Sequence, residues 1–310
     1  MKQSNFRRNI TDFTSFENQL QNNDFLQIVY RDYVQQGTAM LTFRDEEATI
    51  YYHGNQLCNL KAAPQQSVSF LPTIYNRYLP LLRSQVISTN LKAENYLEST
   101  WLEKAKISGY SYSSVLPEIL DNINKDSSPE STQVSRFYKF SPLNCRNNSE
   151  ILLLDVEAAF SCTGEKTDRI DAVFYHTGKR RLMFVEVKRL SDSRVQEKKG
   201  AQAEVIQQMK GYQDTIRNEK TNIIAQYNCV IDYYNKLSKS KKQIPAIADV
   251  EPLLGLLLVE FTSSQKDQEK KKAVISTLKQ ENFNVYAIGN TNHMTEASTL
   301  AAIYSKFEKV

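Results

Sequence analysis

The sequence predicts an α/β protein in two parts, and three observations carry that expectation. Arg169–Arg189, RIDAVFYHTGKRRLMFVEVKR, reads as two apolar strands around a turn at His176-Thr177-Gly178-Lys179. The apolar run Leu253–Phe261 reads as a strand buried on both faces, followed by a helix over Gln268–Gln280 and a late strand over Asn284–Ile288. Near the N-terminus, short apolar stretches alternate with turn residues, which predicts a small antiparallel meander.

Taken in order, Leu26–Tyr33, Ala39–Phe43 and Ala48–Tyr52 are expected as strands, with turns near Gly37, Arg44–Glu47 and Gly54-Asn55. From Pro72 to about Asn124 the pattern turns helical, with Leu79, Leu81, Leu82, Val86, Leu91 and Leu97 prominent. Within it, Leu91–Ile107 forms a helix that sets Glu94, Glu98 and Glu103 away from its apolar face. The polar, proline-containing Asn124–Gln133 is a loop. Ile151–Phe160 is an apolar strand that pairs with the one carrying Asp171. Helical spacing resumes around Gln208–Tyr212, and Ile223–Leu237 reads as a second helix bearing Tyr227, Tyr233 and Tyr234. Residues 1–90 are therefore taken as a small β-rich and helical N-terminal module, and 91–310 as the main domain.

The chemistry concentrates on the hairpin. Asp171 and Glu186 lie about equally far from the turn, so they should face each other on adjacent strands, roughly 5 Å apart at Cβ. Asp168 is the alternative to Asp171. With period two, Glu186 and Lys188 share a face and Val187 takes the other. As an ordinary pair on a solvated strand, Glu186 and Lys188 would contribute under about 1 kcal/mol. Phe184, Val185 and Val187 argue against that, since an exposed strand shows polar residues at alternate positions. Charges buried in an apolar hairpin cost several kcal/mol each unless compensated. A divalent cation with a phosphate compensates them, because Mg²⁺ takes one or two carboxylates and completes its shell with water and phosphate oxygens. Lys188 would then orient or deprotonate a water, or stabilise charge on the scissile phosphate. Gln208 and Tyr212, four apart, share a helix face.

Asp171 followed by Glu186-x-Lys188 resembles the core motif of the PD-(D/E)xK nuclease superfamily. Gln208-Met209-Lys210-Gly211-Tyr212 resembles the Q-h-x-x-Y signature of its RecB-like and Cas4-like branch. The resemblance covers roughly residues 150–262. It implies a restriction-endonuclease-like core, a central mixed β-sheet flanked by helices, with Gln208 and Tyr212 building the active site or holding the nucleic-acid backbone. It implies a deoxyribonuclease that uses Mg²⁺ or Mn²⁺ held by Asp171 and Glu186, with DNA as the favoured substrate and phage defence, restriction or repair as the setting. The family adds a further acid. Glu157 on the Ile151–Phe160 strand would reach the metal directly, and Asp155 and Glu98 remain alternatives. The competing expectation is a catalytically inactive protein of this fold that binds nucleic acid or a protein partner. Relatives with an iron–sulfur cluster group three cysteines downstream, whereas here Cys58, Cys145 and Cys162 precede a lone Cys229, which argues against a cluster.

Broader features set bounds. The 310 residues leave ample core, and no apolar run approaches the roughly 18 residues that span a membrane. MKQSNFRRNITDF has no apolar segment behind its charge, so no secretory signal is read, and the scattered cysteines fit reduced thiols in a cytoplasm. A net charge of +4 is a mild pointer to an anionic partner. Arg169, Lys188, Arg189, Arg194, Lys198 and Lys199 cluster around the hairpin and the connection after it, as a phosphate backbone would require. Lys179–Arg181 at the turn suit solvated charge equally well. The N-terminal module is assigned to homodimerisation or a protein partner.

Overall fold

Side-chain caps open the N-terminal helices. Asp12 accepts the Ser15 amide at 3.0 Å and starts α1 (Phe13–Asn22), which buries Phe13, Phe16 and Leu20 at helical spacing. Asn23 accepts the Leu26 amide at 3.2 Å and starts α2 (Asp24–Val29), which continues into a π-turn over Tyr30–Val34. These coordinates are a computed structural model describing residues 6–62, 69–70, 72–75, 78, 96–98, 112–160, 168–196, 203–238, 243–289 and 291–308. The chain divides into two compact units, one mainly Arg8–Tyr138 and the other mainly Asn147 onward, with Phe6 and Arg7 belonging to the second.

In the first unit, Leu26–Tyr33 is helical where a strand was expected. The Asn23 cap and the spacing of Phe25, Leu26 and Val29 fix one buried helical face, which overrides the β propensity of the run. The meander itself forms from β1 (Ala39–Arg44), β2 (Glu47–Tyr52) and β3 (Asn55–Lys61). His53 and Gly54 both adopt positive φ, 51° and 82°, in the two-residue turn between β2 and β3. A Cβ on Gly54 would lie 2.3 Å from the Ser131 carbonyl, so only glycine fits there.

Two further strands, β4 (Pro72–Tyr75) and β5 (Tyr96–Glu98), extend the sheet in the order β1-β2-β3-β4-β5. They correct the helical expectation for these residues. Thr73 pairs with Glu98 and Tyr75 with Tyr96, a non-local pairing that local periodicity does not register. Glu98 is thus on a strand, not on a helix over Leu91–Ile107; Leu79, Leu81, Leu82, Val86, Leu91, Glu94 and Glu103 lie outside the described residues. Helix α3 (Tyr112–Asp126) buries Leu116, Ile119, Leu120 and Ile123. The expected loop after it is mostly helix: Ser128 accepts the Ser131 amide at 3.1 Å and Pro129 opens α4 (Pro129–Ser135), where its missing N–H costs nothing.

The second unit is built on a mixed sheet flanked by helices, and the protein as a whole is α/β. Strands β6 (Ile151–Phe160), β7 (Asp168–His176) and β8 (Arg181–Arg189) run antiparallel. Helix α5 (Glu204–Leu237) follows as one element of 34 residues, so Ile223–Leu237 is its second half and not a separate helix. Gln213–Asn222 holds neither proline nor glycine, and Ile216 and Ile223 continue the buried stripe. The short β9 (Asp249–Val250) pairs with β8, and β10 (Gly255–Val259), buried throughout, lies parallel to β8. Helix α6 (Gln265–Gln280), β11 (Asn284–Ile288) and α7 (Ala297–Glu308) complete the unit, with strand order β11-β10-β8-β7-β6. No helix among the described residues is long and apolar enough to cross a membrane.

Candidate active site

The hairpin turn fixes the site by counting. Ala172 pairs with Val185, and one step further from the turn the same register sets Asp171 against Glu186. On the far side of β8, Leu256 of the wholly apolar β10 pairs with Glu186, so the carboxylate lies inside the sheet and not at its rim. Glu186 and Lys188 are 1% and 3% exposed. The Lys188 ammonium lies 2.6 Å from Glu186 Oε1 and 4.0 Å from Asp171 Oδ2, and also donates to the Val187 carbonyl at 3.3 Å. The Val187 amide donates to Asp171 Oδ2 at 2.7 Å, so the backbone of the Glu186-Val187-Lys188 segment holds the opposite carboxylate in place.

Helix α5 supplies the roof. Gln208 Nε2 donates to Glu186 Oε1 at 3.1 Å and to the Tyr212 hydroxyl at 2.7 Å, and that hydroxyl donates to the Arg169 carbonyl at 2.6 Å. The chain Arg169–Tyr212–Gln208–Glu186 therefore ties the helix to both strands of the hairpin. Five residues named from the sequence (Asp171, Glu186, Lys188, Gln208 and Tyr212) come together here. Burial pushes the Asp171 carboxyl up to about 6 against the pull of the Lys188 ammonium, and the Glu157 charge adds to the rise. A buried acid beside a buried lysine is where a proton or a cation changes the balance of charge most.

The remaining candidates take distinct places. Val156 pairs with Ala172 and Ala158 with Ile170, so Glu157, with φ of 51°, falls opposite Asp171, and its carboxylate lies 3.7 Å from Arg169 Nη1. Asp155 instead accepts the Tyr227 hydroxyl at 2.9 Å inside the core. Asp168 begins β7 opposite Phe160. Arg194, held by Asp192 through Nε at 3.0 Å, is close enough for its charge to lower the Asp171 carboxyl; the Asp-x-Arg spacing is the local signal for that pair. Lys198, Lys199 and Cys162 lie outside the described residues, and Cys58, Cys145 and Cys229 are free thiols. Lys179–Arg181 serve the far end of the hairpin: Lys179 lies over the Tyr304 ring, Arg180 donates to the Ala246 carbonyl, and Arg181 pairs with Asp249 and Glu251.

Among the described residues no three His, Cys, Asp or Glu side chains close on one point as a metal cage. Two carboxylates on neighbouring strands, Asp171 and Glu186, fit an ion that takes one or two protein oxygens and fills its shell from water and phosphate. Compared with known proteins, the chain matches no family model, no curated protein and no solved structure.

Proposed function

We propose that the protein is a metal-dependent nuclease that hydrolyses phosphodiester bonds, with DNA as its substrate. The observation that carries this reading is the triad of a buried Glu186–Lys188 pair and a part-buried Asp171, with Lys188 Nζ at 2.6 Å from Glu186 and 4.0 Å from Asp171. A structural ion pair has no need of a second carboxylate whose ionisation burial opposes. Asp171 and Glu186 would hold Mg²⁺ or Mn²⁺, with Glu157 the nearest further acid along the row. Once bound, the ion supplies Lewis acidity toward the phosphate and lowers the pKa of water.

The chain's own groups do the rest. Lys188 places an ammonium beside both carboxylates, where it orients the attacking water and offsets charge developing on the phosphate. Gln208 fixes the Glu186 carboxylate through Oε1, and Tyr212 fixes Gln208. Arg169 and Arg194, which pair with Glu157 and Asp192, would supply the cations that contact a phosphate backbone. The test is a cleavage panel of linear, circular and single-stranded DNA and of RNA, with Mn²⁺ and with a chelator. Mn²⁺-dependent products that vanish in folded Asp171→Ala and Lys188→Ala support the reading. Products unchanged in both variants overturn the site. Salt-sensitive DNA binding without cleavage by any divalent ion replaces the enzyme with a nucleic-acid-binding module.

A further inference from the structure

Strand β6 carries one residue too many for an unbroken ladder with β7. Leu153 pairs with Phe174 and Asp155 with Val173, so Leu154 is the extra residue of a bulge. Beyond it the pairing runs Val156 to Ala172 and Ala158 to Ile170, which sets Glu157 opposite Asp171. Continued without the bulge, the Leu153–Phe174 register would bring Val156 opposite Asp171 and Glu157 opposite Ile170. A slip of one residue exchanges the two faces of a strand, so the Glu157 carboxylate would leave the row of the site.

Two tyrosines on one helix grip this bulge. The Tyr234 hydroxyl donates to the Leu154 carbonyl at 3.0 Å, meeting the acceptor of the extra residue. The Tyr227 hydroxyl donates to Asp155 Oδ2 at 2.9 Å, while Asp155 Oδ1 accepts the Val156 amide, also at 2.9 Å. All five residues are buried, so water is not at hand to replace either hydroxyl. Seven residues apart, Tyr227 and Tyr234 project from the same face of α5, the helix whose first turns carry Gln208 and Tyr212.

We infer that Tyr227 and Tyr234 are positioning residues that hold the β6 bulge, and with it Glu157, in the register that faces Asp171. The importance of Glu157 rests on the nuclease reading, whereas the register itself does not. One helix thus sets both sides of the site: its N-terminal half orders Glu186, and its C-terminal half places the acid on the far strand.

The experiment has two readouts on the full chain carrying Tyr227→Phe and Tyr234→Phe, singly and together. Cross-strand NMR contacts report the ladder without any activity. The expected result is loss of the Val156–Ala172 contact in the double variant, with the Ala172–Val185 contact kept. Cleavage reports the consequence: the Mn²⁺ concentration for half-maximal rate rises about 10-fold or more, as for other groups that orient ligands. In a Glu157→Gln background the tyrosine changes add nothing further. A double variant that keeps both the wild-type ladder and the wild-type Mn²⁺ requirement overturns the inference, and so does an equal loss in the Glu157→Gln background. Should the double variant fail to fold, Tyr234→Phe alone decides on the same two readouts. A wild-type chain that cleaves nothing refutes the nuclease reading, while the NMR contacts still decide the register.

Discussion

Carboxylates lie against both ends of the β7–β8 hairpin, on β9 near the turn and on the hairpin itself at the other end, and the two ends treat them in opposite ways. Near the turn, Asp249 is one-third exposed and lies between Lys220 at 2.5 Å and Arg181 at 3.6 Å, so its carboxyl is held below the ordinary range, chiefly by the Lys220 hydrogen bond. Glu251 beside it accepts the Tyr304 hydroxyl at 3.1 Å and faces Arg181 at 3.7 Å. Each acid there has a cation or hydroxyl of its own, and the cations reach solvent. Toward the other end, Asp171 and Glu186 share the single buried ammonium of Lys188, and burial raises the Asp171 carboxyl to about 6. One sheet therefore separates acids that each have a partner at an edge from two acids that share one buried ammonium. The contrast lies in the count of partners and in the access of water, not in residue type.

Catalysis should break the comparison most sharply. Lys188→Ala or Asp171→Ala lowers the single-turnover cleavage rate on the order of 10²–10³-fold, the usual cost of removing one preorganised charge. Arg181→Ala at the turn end leaves the rate within a factor of about two, because the pairs it joins, with Asp249 and Glu251, lie at the far end of the hairpin from Asp171 and Glu186.

Stability should follow in the same sense. Lys188→Met strands a buried Glu186 and costs about 3–5 kcal/mol of unfolding free energy in denaturant titration. Glu186→Gln added to it recovers most of that loss. Arg181→Met costs less, because Glu251 keeps the Tyr304 hydroxyl and Asp249 keeps Lys220.

The pH dependence should separate the two ends by sign. The raised Asp171 carboxyl favours the neutral acid, so its contribution is fully present below the ordinary value of 3.8 and is lost as pH rises through about 6. Asp249, lowered, contributes above 3.8 and loses that contribution as pH falls through its depressed value. Thermal melts with chelator across this range should show the upper loss disappear in Asp171→Asn and the acid loss shrink in Asp249→Asn. Smallest of all, Gly211→Ala should raise stability by about 0.5–1 kcal/mol, since glycine is a poor helix former and nothing lies within 4 Å of the added methyl.

How much of this was legible follows from sequence distance. The facing of Asp171 and Glu186 is arithmetic from a short turn, and the fourfold spacing of Gln208 and Tyr212 is local helix geometry. Late elements such as Asn284–Ile288 were legible because Val285, Tyr286 and Ile288 favour a strand locally. The bulge at Leu154 was not, since its hydroxyl partners lie 72 and 80 residues from the groups they meet. Pro72–Tyr75 and Tyr96–Glu98 were misread for the same reason, since the ladder between them joins residues more than 20 apart in sequence. Leu26–Tyr33 failed differently: a β-prone run was captured by the Asn23 cap, whose effect outweighed the propensity of the residues it precedes.

The central claim is that Asp171 and Glu186 are kept in the sheet to receive a divalent ion. Calorimetric titration of the metal-free protein with Mn²⁺ near neutral pH tests it most directly. Saturable binding by the wild-type chain, abolished in both Glu186→Gln and Asp171→Asn while each variant retains its fold, is the result this account predicts. Undiminished binding in both variants, or none in the wild-type protein, would contradict it.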